Sequence, residues 1–403
     1  MLVVARAQGY GMNEVTERVA SLRGYLAADP GNTQLACDLI DALFAAGDFN
    51  GADASIAALP AAVQEAAGIR FRRARCALIL GRHAEAAQVL GGLIADGHEN
   101  VALWHDLAFA QLCMRQLRDA AATIAAAQAR FGADAELAVV SARVALMDGD
   151  FARANAALDT ALALAPEHAT ALGLRALVLL DSGETDAAMQ DALACLARYP
   201  DQHEALLVAG TVALWRQDLA NAETFYQRAL ARHPNSGRAL SGRGQLLMLR
   251  NDLPAAIGQL EHAVVAMPDH IGTWHALAWA QLLQGRLDAA EASYRQAYAL
   301  DDNFADSHGG LALIDALKGR TQQAELSVKK ALRLNPQCVT ALYAKTLLLS
   351  DGGRAEEADA LLSGLMGQIN LPPTMNIHDF ARNLRSRFQA APSTSTTSGA
   401  ATP

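Results

Sequence analysis

At 403 residues the chain exceeds the size of a usual single-core domain, so it should hold several domains or one elongated repeat array. Its 33 basic and 42 acidic residues give a formal net charge of -9, which offers no attraction to phosphate backbones or anionic lipid and so disfavours a nucleic-acid partner. Hydrophobic residues make up 52% of the chain but aromatic residues only 5%, so most apolar positions carry small side chains, as in closely packed helices.

Cysteine usage and hydropathy bear on the compartment. The five cysteines are odd in number, widely spaced and never form Cys-x-x-Cys, which argues against a disulfide framework and a zinc site. The apolar stretch at the N-terminus is too short for a signal peptide, and no segment approaches a membrane span. We therefore expect a cytoplasmic protein with no membrane insertion. Because Ala5-Arg6-Ala7 resembles the end of a signal sequence, a periplasmic location is the alternative if an upstream start is missing.

The first predicted element is an amphipathic helix over residues 13–29. Apolar side chains recur there at the spacing of one helical face, at Val15, Val19, Leu22 and Leu26. We assign residues 1–32 to an N-terminal half-repeat or cap.

From residue 33 the sequence repeats with a period of 34 residues, without one insertion. With Thr33 as column 1 of ten rows, column 15 holds glycine in seven rows and Arg115, Gln217 and Asn251 in the other three. Column 20 holds alanine in all ten rows. Although the chain is rich in alanine, ten alanines in one column are improbable by chance, so the period reflects structural repeats. The alanines of column 20 are Ala52, Ala86, Ala120, Ala154, Ala188, Ala222, Ala256, Ala290, Ala324 and Ala358.

Each recurring residue has a physical role in a pair of helices. Small side chains in columns 8, 20 and 27 let helix axes approach closely. Glycine in column 15 lets the chain turn between the two helices. Proline in column 32 ends the second helix, because it lacks an N–H and disfavours helix at the preceding residue. Column 32 holds Pro166, Pro200, Pro234, Pro268 and Pro336.

This pattern resembles the tetratricopeptide repeat family, whose motif is a 34-residue helix-turn-helix with small residues in columns 8, 20 and 27 and proline in column 32. The resemblance covers residues 33–372 and implies an all-α, right-handed superhelical solenoid of about ten repeats. The rows depart from the family pattern in two ways. Rows 1 to 3, 8 and 10 lack the column 32 proline, and Gly309-Gly310 falls inside a first helix. Since each helical glycine costs up to about 1 kcal/mol relative to alanine, we expect that helix to be a weak point.

The C-terminal region departs from the period. Pro372-Pro373 breaks the array, and Asn376 to Gln389 then shows apolar residues on one helical face at Ile377, Phe380, Leu384 and Phe388. We expect residues 373–390 to form a capping helix over the last repeat. Residues 391–403 are too polar and small to pack, so we expect a disordered tail.

Signatures of catalysis are missing from the sequence. No P-loop, nucleophile elbow or His-Glu-x-x-His occurs. Ser327-x-x-Lys330 lies on a predicted second helix with no companion motif, and Asp301 to Asp306 lacks ligands that a calcium loop needs. We therefore expect no catalytic residues, no metal site, no cofactor and no enzymatic activity.

The resemblance also implies a partner-binding groove. In the family, columns 2, 5, 9, 12 and 13 of the first helices tend to face the concave side, and here that stripe is largely apolar. It lacks the residues of the family's carboxylate clamp and of its asparagine ladder. The alternative is that part of the stripe packs between repeats or against the chain's own cap. The implied partner-binding residues are Phe109, Arg143, Leu177, Thr211, Trp215, Gln245, His275, Trp279 and Leu283.

The sequence thus favours a scaffold or adaptor that binds a partner protein, as a peptide or an amphipathic helix, in an apolar concave groove. The alternative function is a regulatory or recruiting subunit of a separately encoded enzyme, or of a secretion or envelope-assembly complex.

Overall fold

The computed structural model describes residues 12–366, and in that range every regular element is an α-helix. The prediction of an all-helical chain is confirmed. The chain divides into two compact units, residues 1–205 and 206–403, and each is described by itself. Residues 1–11, the end of the tenth row, the expected cap (373–390) and the expected tail (391–403) lie outside the described residues.

The helices follow one another with short connections. The first unit contains α1 (Met12–Ala28), α2 (Thr33–Ala46), α3 (Phe49–Ala57), α4 (Ala61–Gln64), α5 (Ala67–Ile79), α6 (His83–Ala95), α7 (Val101–Cys113), α8 (Leu117–Phe131), α9 (Ala135–Met147), α10 (Phe151–Leu164), α11 (Ala169–Asp181), α12 (Thr185–Arg198) and the start of α13 (His203–Trp215). The second unit continues with α14 (Leu219–Arg232), α15 (Gly237–Leu249), α16 (Leu253–Ala266), α17 (Ile271–Leu283), α18 (Leu287–Leu300), α19 (Ala305–Leu317), α20 (Thr321–Leu334), α21 (Val339–Asp351) and α22 (Ala355–Met366).

Helix α1 packs beside the first repeat. Its Val19 is buried in the same apolar core as Leu39 and Leu43 of α2, with Leu22 and Leu26 partly buried against it. The apolar face that the sequence pattern predicts for residues 13–29 is therefore the face that packs against the first repeat.

Column 15 is the turn between the helices of each repeat. All seven of its glycines have positive φ, from 73° at Gly319 to 91° at Gly183. Arg115, Gln217 and Asn251 occupy the same left-handed region with φ of 58° to 60°. Because a side chain is disfavoured there, these three residues show that the turn geometry is imposed by the helices on either side and not by glycine.

The column 20 alanines lie where helices meet. Nine of the ten are fully buried, and the last, Ala358, is 6% exposed. Each belongs to a second helix, and the column 8 residues of the first helices, such as Ala176 and Ala278, are equally buried. Short side chains at both positions allow the close approach of helix axes that the sequence predicts.

Proline in column 32 ends a helix as predicted, but it is not required. Helices α10, α12, α14, α16 and α20 all stop two residues before their proline, and α18 stops at the same column before Asp302.

Repeat 1 differs from the two-helix pattern. Its second helix ends early at Ala57, and after Pro60 a short helix, α4, completes the repeat. A proline inside a helix pattern has this effect because it removes a backbone donor and clashes with the preceding turn.

The glycine pair Gly309-Gly310 is a packing site. Helix α19 runs through both residues without interruption, and both are buried. A Cβ on Gly309 would lie 2.9 Å from the backbone nitrogen of Ala341, and one on Gly310 would overlap the ring of Tyr294. Both glycines therefore permit close contacts that a larger residue would block, while the expected weakness of this helix stays a prediction.

Candidate binding site

A cavity of about 650 Å³ lies in the second unit. Its walls come mainly from the first helices of the repeats, which are joined to their second helices by the left-handed turns described above. The lining residues are Leu214, Trp215, Gln217, Gln245, Met248, Leu249, Gly272, His275, Ala276, Trp279, Tyr294, Asp306 and Thr340.

One part of the lining is apolar and open to water. The side chain of Trp215, the last residue of α13, is 57% exposed, and Leu249, the last residue of α15, is 48% exposed. Trp279 of α17 is half-buried because it also packs against the core around Ala278 and Leu313. Large apolar side chains left in water at one place provide a driving force for association.

The imidazole of His275 forms a fixed, uncharged wall of the cavity. Its Nε2 lies 2.9 Å from Oγ of Ser307, and its ring contacts Tyr294 and Phe304 at centroid distances of 5.6 and 5.3 Å. Burial lowers the pKa of His275 from its ordinary value, although Asp306 acts in the opposite direction. The ring is therefore neutral at pH 7.

Asp306 places a carboxylate beside this wall. Its Oδ1 accepts hydrogen bonds from Sγ of Cys338 at 3.2 Å and from Oγ1 of Thr340 at 3.4 Å. Among the described residues that line the cavity, Asp306 is the one with a charged side chain. The cavity therefore combines an apolar wall with a single negative charge, an arrangement that favours a ligand with apolar surface and a cationic group.

Four of the residues implied by the family resemblance meet at this cavity: Trp215, Gln245, His275 and Trp279. Thr211 and Leu283 also lie in the second unit but do not line it. The hydroxyl of Thr211 lies 3.3 Å from that of Tyr226 instead. Leu283 is half-buried at the end of α17.

The remaining three lie in the first unit, in different settings. Phe109 is half-buried and packs against apolar cores on both sides of its helix. Leu177 is only 6% exposed, so its side chain serves packing. Arg143 is engaged in an ion pair, with its Nη2 2.5 Å from Oε1 of Glu204.

The carboxylate of the Arg143–Glu204 pair is buried, whereas the side chain of Arg143 is 21% exposed. Glu204 is 6% exposed, and Nε2 of Gln202 donates to its second carboxylate oxygen at 2.5 Å. Burial would raise the pKa of Glu204, but the charge and hydrogen bond of Arg143 outweigh it and lower the pKa to about 2. The pair is thus fully ionised at neutral pH, and Arg143 is not available as a free cation for a partner.

Comparison with known families matches the tetratricopeptide repeat at residues 37–96, 139–203, 191–236 and 207–270, and again at 271–304. These segments together make up more than half of the chain. The chain belongs to the tetratricopeptide repeat family. The resemblance inferred from the 34-residue period is confirmed.

Solved structures of similar fold include a chain of the APC/C hetero-tetramer Cut9-Hcn1, with a TM-score of 0.65 and 15% identity over 84% of this chain and 66% of that one. Human IFIT1, solved as a dimer with m7Gppp-AAAA, gives a TM-score of 0.53 and 16% identity over 90% of this chain and 96% of that one. At such identities the likeness concerns the tetratricopeptide fold alone. A comparison with curated proteins finds no match.

Some lining residues were not singled out from the sequence. Gly272, Asp306 and Thr340 stand in column 2 of repeats 8, 9 and 10, a column that the tetratricopeptide family turns towards its groove, so that signal was present. Tyr294 belongs to a second helix, and no groove column points to it. It reaches the cavity because the glycine at position 310 leaves room for its ring.

Other sequence features serve local structure in this tetratricopeptide array. In the loop at 301–306, the backbone N–H of Asn303 donates to Asp301 at 2.8 Å, and Nε2 of His308 lies 2.8 Å from the carbonyl oxygen of Asp302. No cluster of three or more His, Cys, Asp or Glu side chains within residues 12–366 is placed to hold a metal ion. In the same range, no helix has both the length and the apolar character needed to cross a bilayer.

Proposed function

We propose that this tetratricopeptide protein is an interaction scaffold whose second unit holds a partner peptide or amphipathic helix in the cavity. Tetratricopeptide repeats typically mediate binding of proteins or peptides and are not catalytic, which supports a partner of that class. The observation that carries the proposal is the placement of Trp215 and Trp279 on one cavity, with much of Trp215 in water.

The size and chemistry of the cavity support an occupant made of side chains. Its volume of about 650 Å³ lies within the range of ligand-binding clefts, roughly 300–1,000 Å³. Tryptophan is enriched among the residues that dominate binding energy, because it buries a large rigid surface. An amphipathic helix presents apolar anchors along one stripe and would cover Trp215, Leu249 and Trp279 together.

The charge of the lining favours a protein partner over a nucleic acid. Asp306 would repel a phosphate but attract an arginine or lysine. A cation on a long aliphatic stem also suits this cavity, since its stem contacts apolar surface while its head reaches the carboxylate, and the tryptophan faces attract cations. We therefore propose that the preferred sequence has apolar residues at helical spacing together with a basic residue.

Selection from a displayed random-peptide library tests the proposal with a defined probe. The full chain should enrich peptides that carry apolar residues at i, i+3 or i+4, and i+7, with a basic residue beside them. Fluorescence anisotropy then gives the affinity of a labelled consensus peptide. The double variant Trp215→Ala/Trp279→Ala should weaken binding at least a hundredfold, because both large contact surfaces are removed.

A matched control separates the cavity from general stickiness. Leu326 and Val265 are 68% and 80% exposed, and neither lines the cavity. The variant Leu326→Ala/Val265→Ala removes exposed apolar surface elsewhere in the same unit and should bind the peptide normally. Circular dichroism checks that all variants keep their helices. Unchanged peptide affinity in the tryptophan variant would place the binding site elsewhere.

A further inference from the structure

The described chain ends close to the cavity. Helices α21 and α22 are joined by Gly352–Arg354 and have nearly equal lengths, 13 and 12 residues, so they form an antiparallel hairpin. Met366, the last residue of α22, therefore lies level with the start of α21, about 8–10 Å away across the pair. That start contains Thr340, which lines the cavity. The chain thus leaves its last described helix beside the polar end of the site.

The sequence that follows has the chemistry that the cavity favours. Residues 376–389 place Ile377, Phe380, Leu384 and Phe388 on one helical face. The same stretch has three arginines, at 382, 385 and 387, against one aspartate, at 379, in a chain whose formal net charge is -9. Apolar anchors and positive charge thus occur together in this segment, opposite an apolar wall and the carboxylate of Asp306.

The connection is long enough. Residues 367–376 can extend over about 33 Å, at roughly 3.3 Å per residue, which exceeds the width of several packed helices. A segment tethered by so short a linker has an effective concentration on the order of millimolar at a site within its reach. An intrinsic dissociation constant of about 0.1 mM or below would therefore keep the cavity occupied in roughly nine-tenths of the molecules.

We infer that residues 376–389 of this chain occupy the cavity of their own second unit and compete with the partner. This inference rests on the proposed function, because it takes the same cavity as a peptide site. The apolar face of the segment covers Trp215 and Trp279, and an arginine pairs with Asp306. A partner must displace the segment, so its apparent affinity is reduced by the fraction of molecules in which the segment is bound.

Cross-linking locates the segment in the full chain. With Cys113→Ser removing the one exposed thiol, Ala381→Cys supplies a thiol on the apolar face of the segment, and Gln245→Cys supplies one at the cavity. A short bis-maleimide should join them within a single chain. A matched pair, Ala381→Cys with Ala360→Cys on the exposed side of α22, tests the competing position over the last repeat.

The products of the two pairs decide between occupants. A cross-link between 381 and 245 within one chain is the expected result. A 381–245 link between two chains would mean that a second copy supplies the segment. A link to 360 alone would mean that the segment caps the last repeat. Either of these results, or no cross-link at all, overturns the inference.

Competition tests the functional consequence. In the full-chain variant Phe380→Asp/Leu384→Asp, the segment cannot bury its apolar face, so a labelled peptide of residues 374–390 should bind at least tenfold more tightly than it binds the unaltered chain. Adding Trp215→Ala/Trp279→Ala should abolish that binding. If library peptides bind the cavity but the 374–390 peptide does not, the inference fails and the proposed function stands. If neither binds, both fail.

Discussion

Gly310 and Tyr294 form a matched pair across two successive repeats: a Cβ on Gly310 would lie 2.5 Å from Cζ of the Tyr294 ring. Tyr226 and Gly242 repeat the arrangement, since a Cβ on Gly242 would lie 2.6 Å from Cε1 of Tyr226. In the ten rows, tyrosine stands in column 24 only at these two places, and glycine stands in column 6 only in the rows that follow them. Each large ring is accommodated by the next repeat.

The tyrosine–glycine pair predicts the effect of one methyl group. Gly310→Ala should lower the free energy of unfolding by about 1–3 kcal/mol, because it overpacks a buried site. Urea unfolding measures the change. Gly258→Ala in α16 is the control, since a Cβ there meets nothing within 4 Å, and it should stabilise the helix slightly. If Tyr294 is the obstacle, Tyr294→Leu should reduce the loss caused by Gly310→Ala.

The left-handed turns predict substitutions that stabilise the protein. Gln217→Gly should raise the free energy of unfolding by about 1 kcal/mol, because a side chain at φ 60° is strained and glycine is not. Asn251→Gly should gain less, since asparagine tolerates this region better. Gly285→Ala, at φ 86°, should have the opposite sign. Thermal melting of the three variants gives the order, and a loss of stability in Gln217→Gly would contradict the account.

Column 20 predicts strong intolerance of large side chains. Ala222 is fully buried on α14, so Ala222→Phe should cost on the order of 1–3 kcal/mol by overpacking. Ala220, on the exposed side of the same helix, provides the control, and Ala220→Phe should leave the melting temperature nearly unchanged. Equal melting temperatures for Ala222→Phe and the unaltered chain would count against close helix packing at this column.

The Arg143–Glu204 pair predicts a pH-dependent stability difference. Arg143→Met leaves a buried carboxylate without its cationic partner and should lower the free energy of unfolding by about 3–5 kcal/mol at pH 7. Because the folded pKa of Glu204 is lowered to about 2, against about 4.3 for an unfolded glutamate, the pair stabilises the folded state fully above about pH 5 and loses its effect as pH falls towards 2.

The difference between the unaltered chain and Arg143→Met should therefore shrink as pH falls from 7 to 3, since protonation also relieves the unpaired carboxylate of the variant. Urea unfolding at both pH values measures it. Arg153→Met breaks an exposed pair with Asp148 and should change stability by less than about 1 kcal/mol at either pH. A difference for Arg143→Met that does not depend on pH would mean that Glu204 is not the group responsible.

Much of the fold follows from local sequence patterns. Helix ends, turns and close-packed faces recur every 34 residues, and each depends on neighbours within one or two repeats. The alanines of column 20 are buried and the residues of column 15 are left-handed, as their columns indicate. Pro60, which follows the early end of α3, stands outside column 32, so the 34-residue period did not predict that end.

The residues of the cavity were only partly predictable. Family columns indicate which way a first-helix residue faces in general, and four of the residues they point to, Trp215, Gln245, His275 and Trp279, line the cavity. They do not reveal that Leu177 is covered, nor that Arg143 is neutralised by Glu204, 61 residues further along the chain. Both outcomes depend on which side chains neighbouring helices bring into contact, and a column average carries no such information.

Sequence alone determined the repeat, its helix pairs and the positions that need small residues, because these are set by backbone preferences and by contacts that recur identically in each row. Only the tertiary structure shows how residues that differ from one repeat to the next combine into a site. Tyr294 fits over Gly310, and the buried ring of His275 is neutral beside Ser307. Two tryptophans and one carboxylate line the same cavity. The physical reason is that the site consists of residues that vary between repeats. The contacts of these residues depend on distances between side chains that are far apart in the chain.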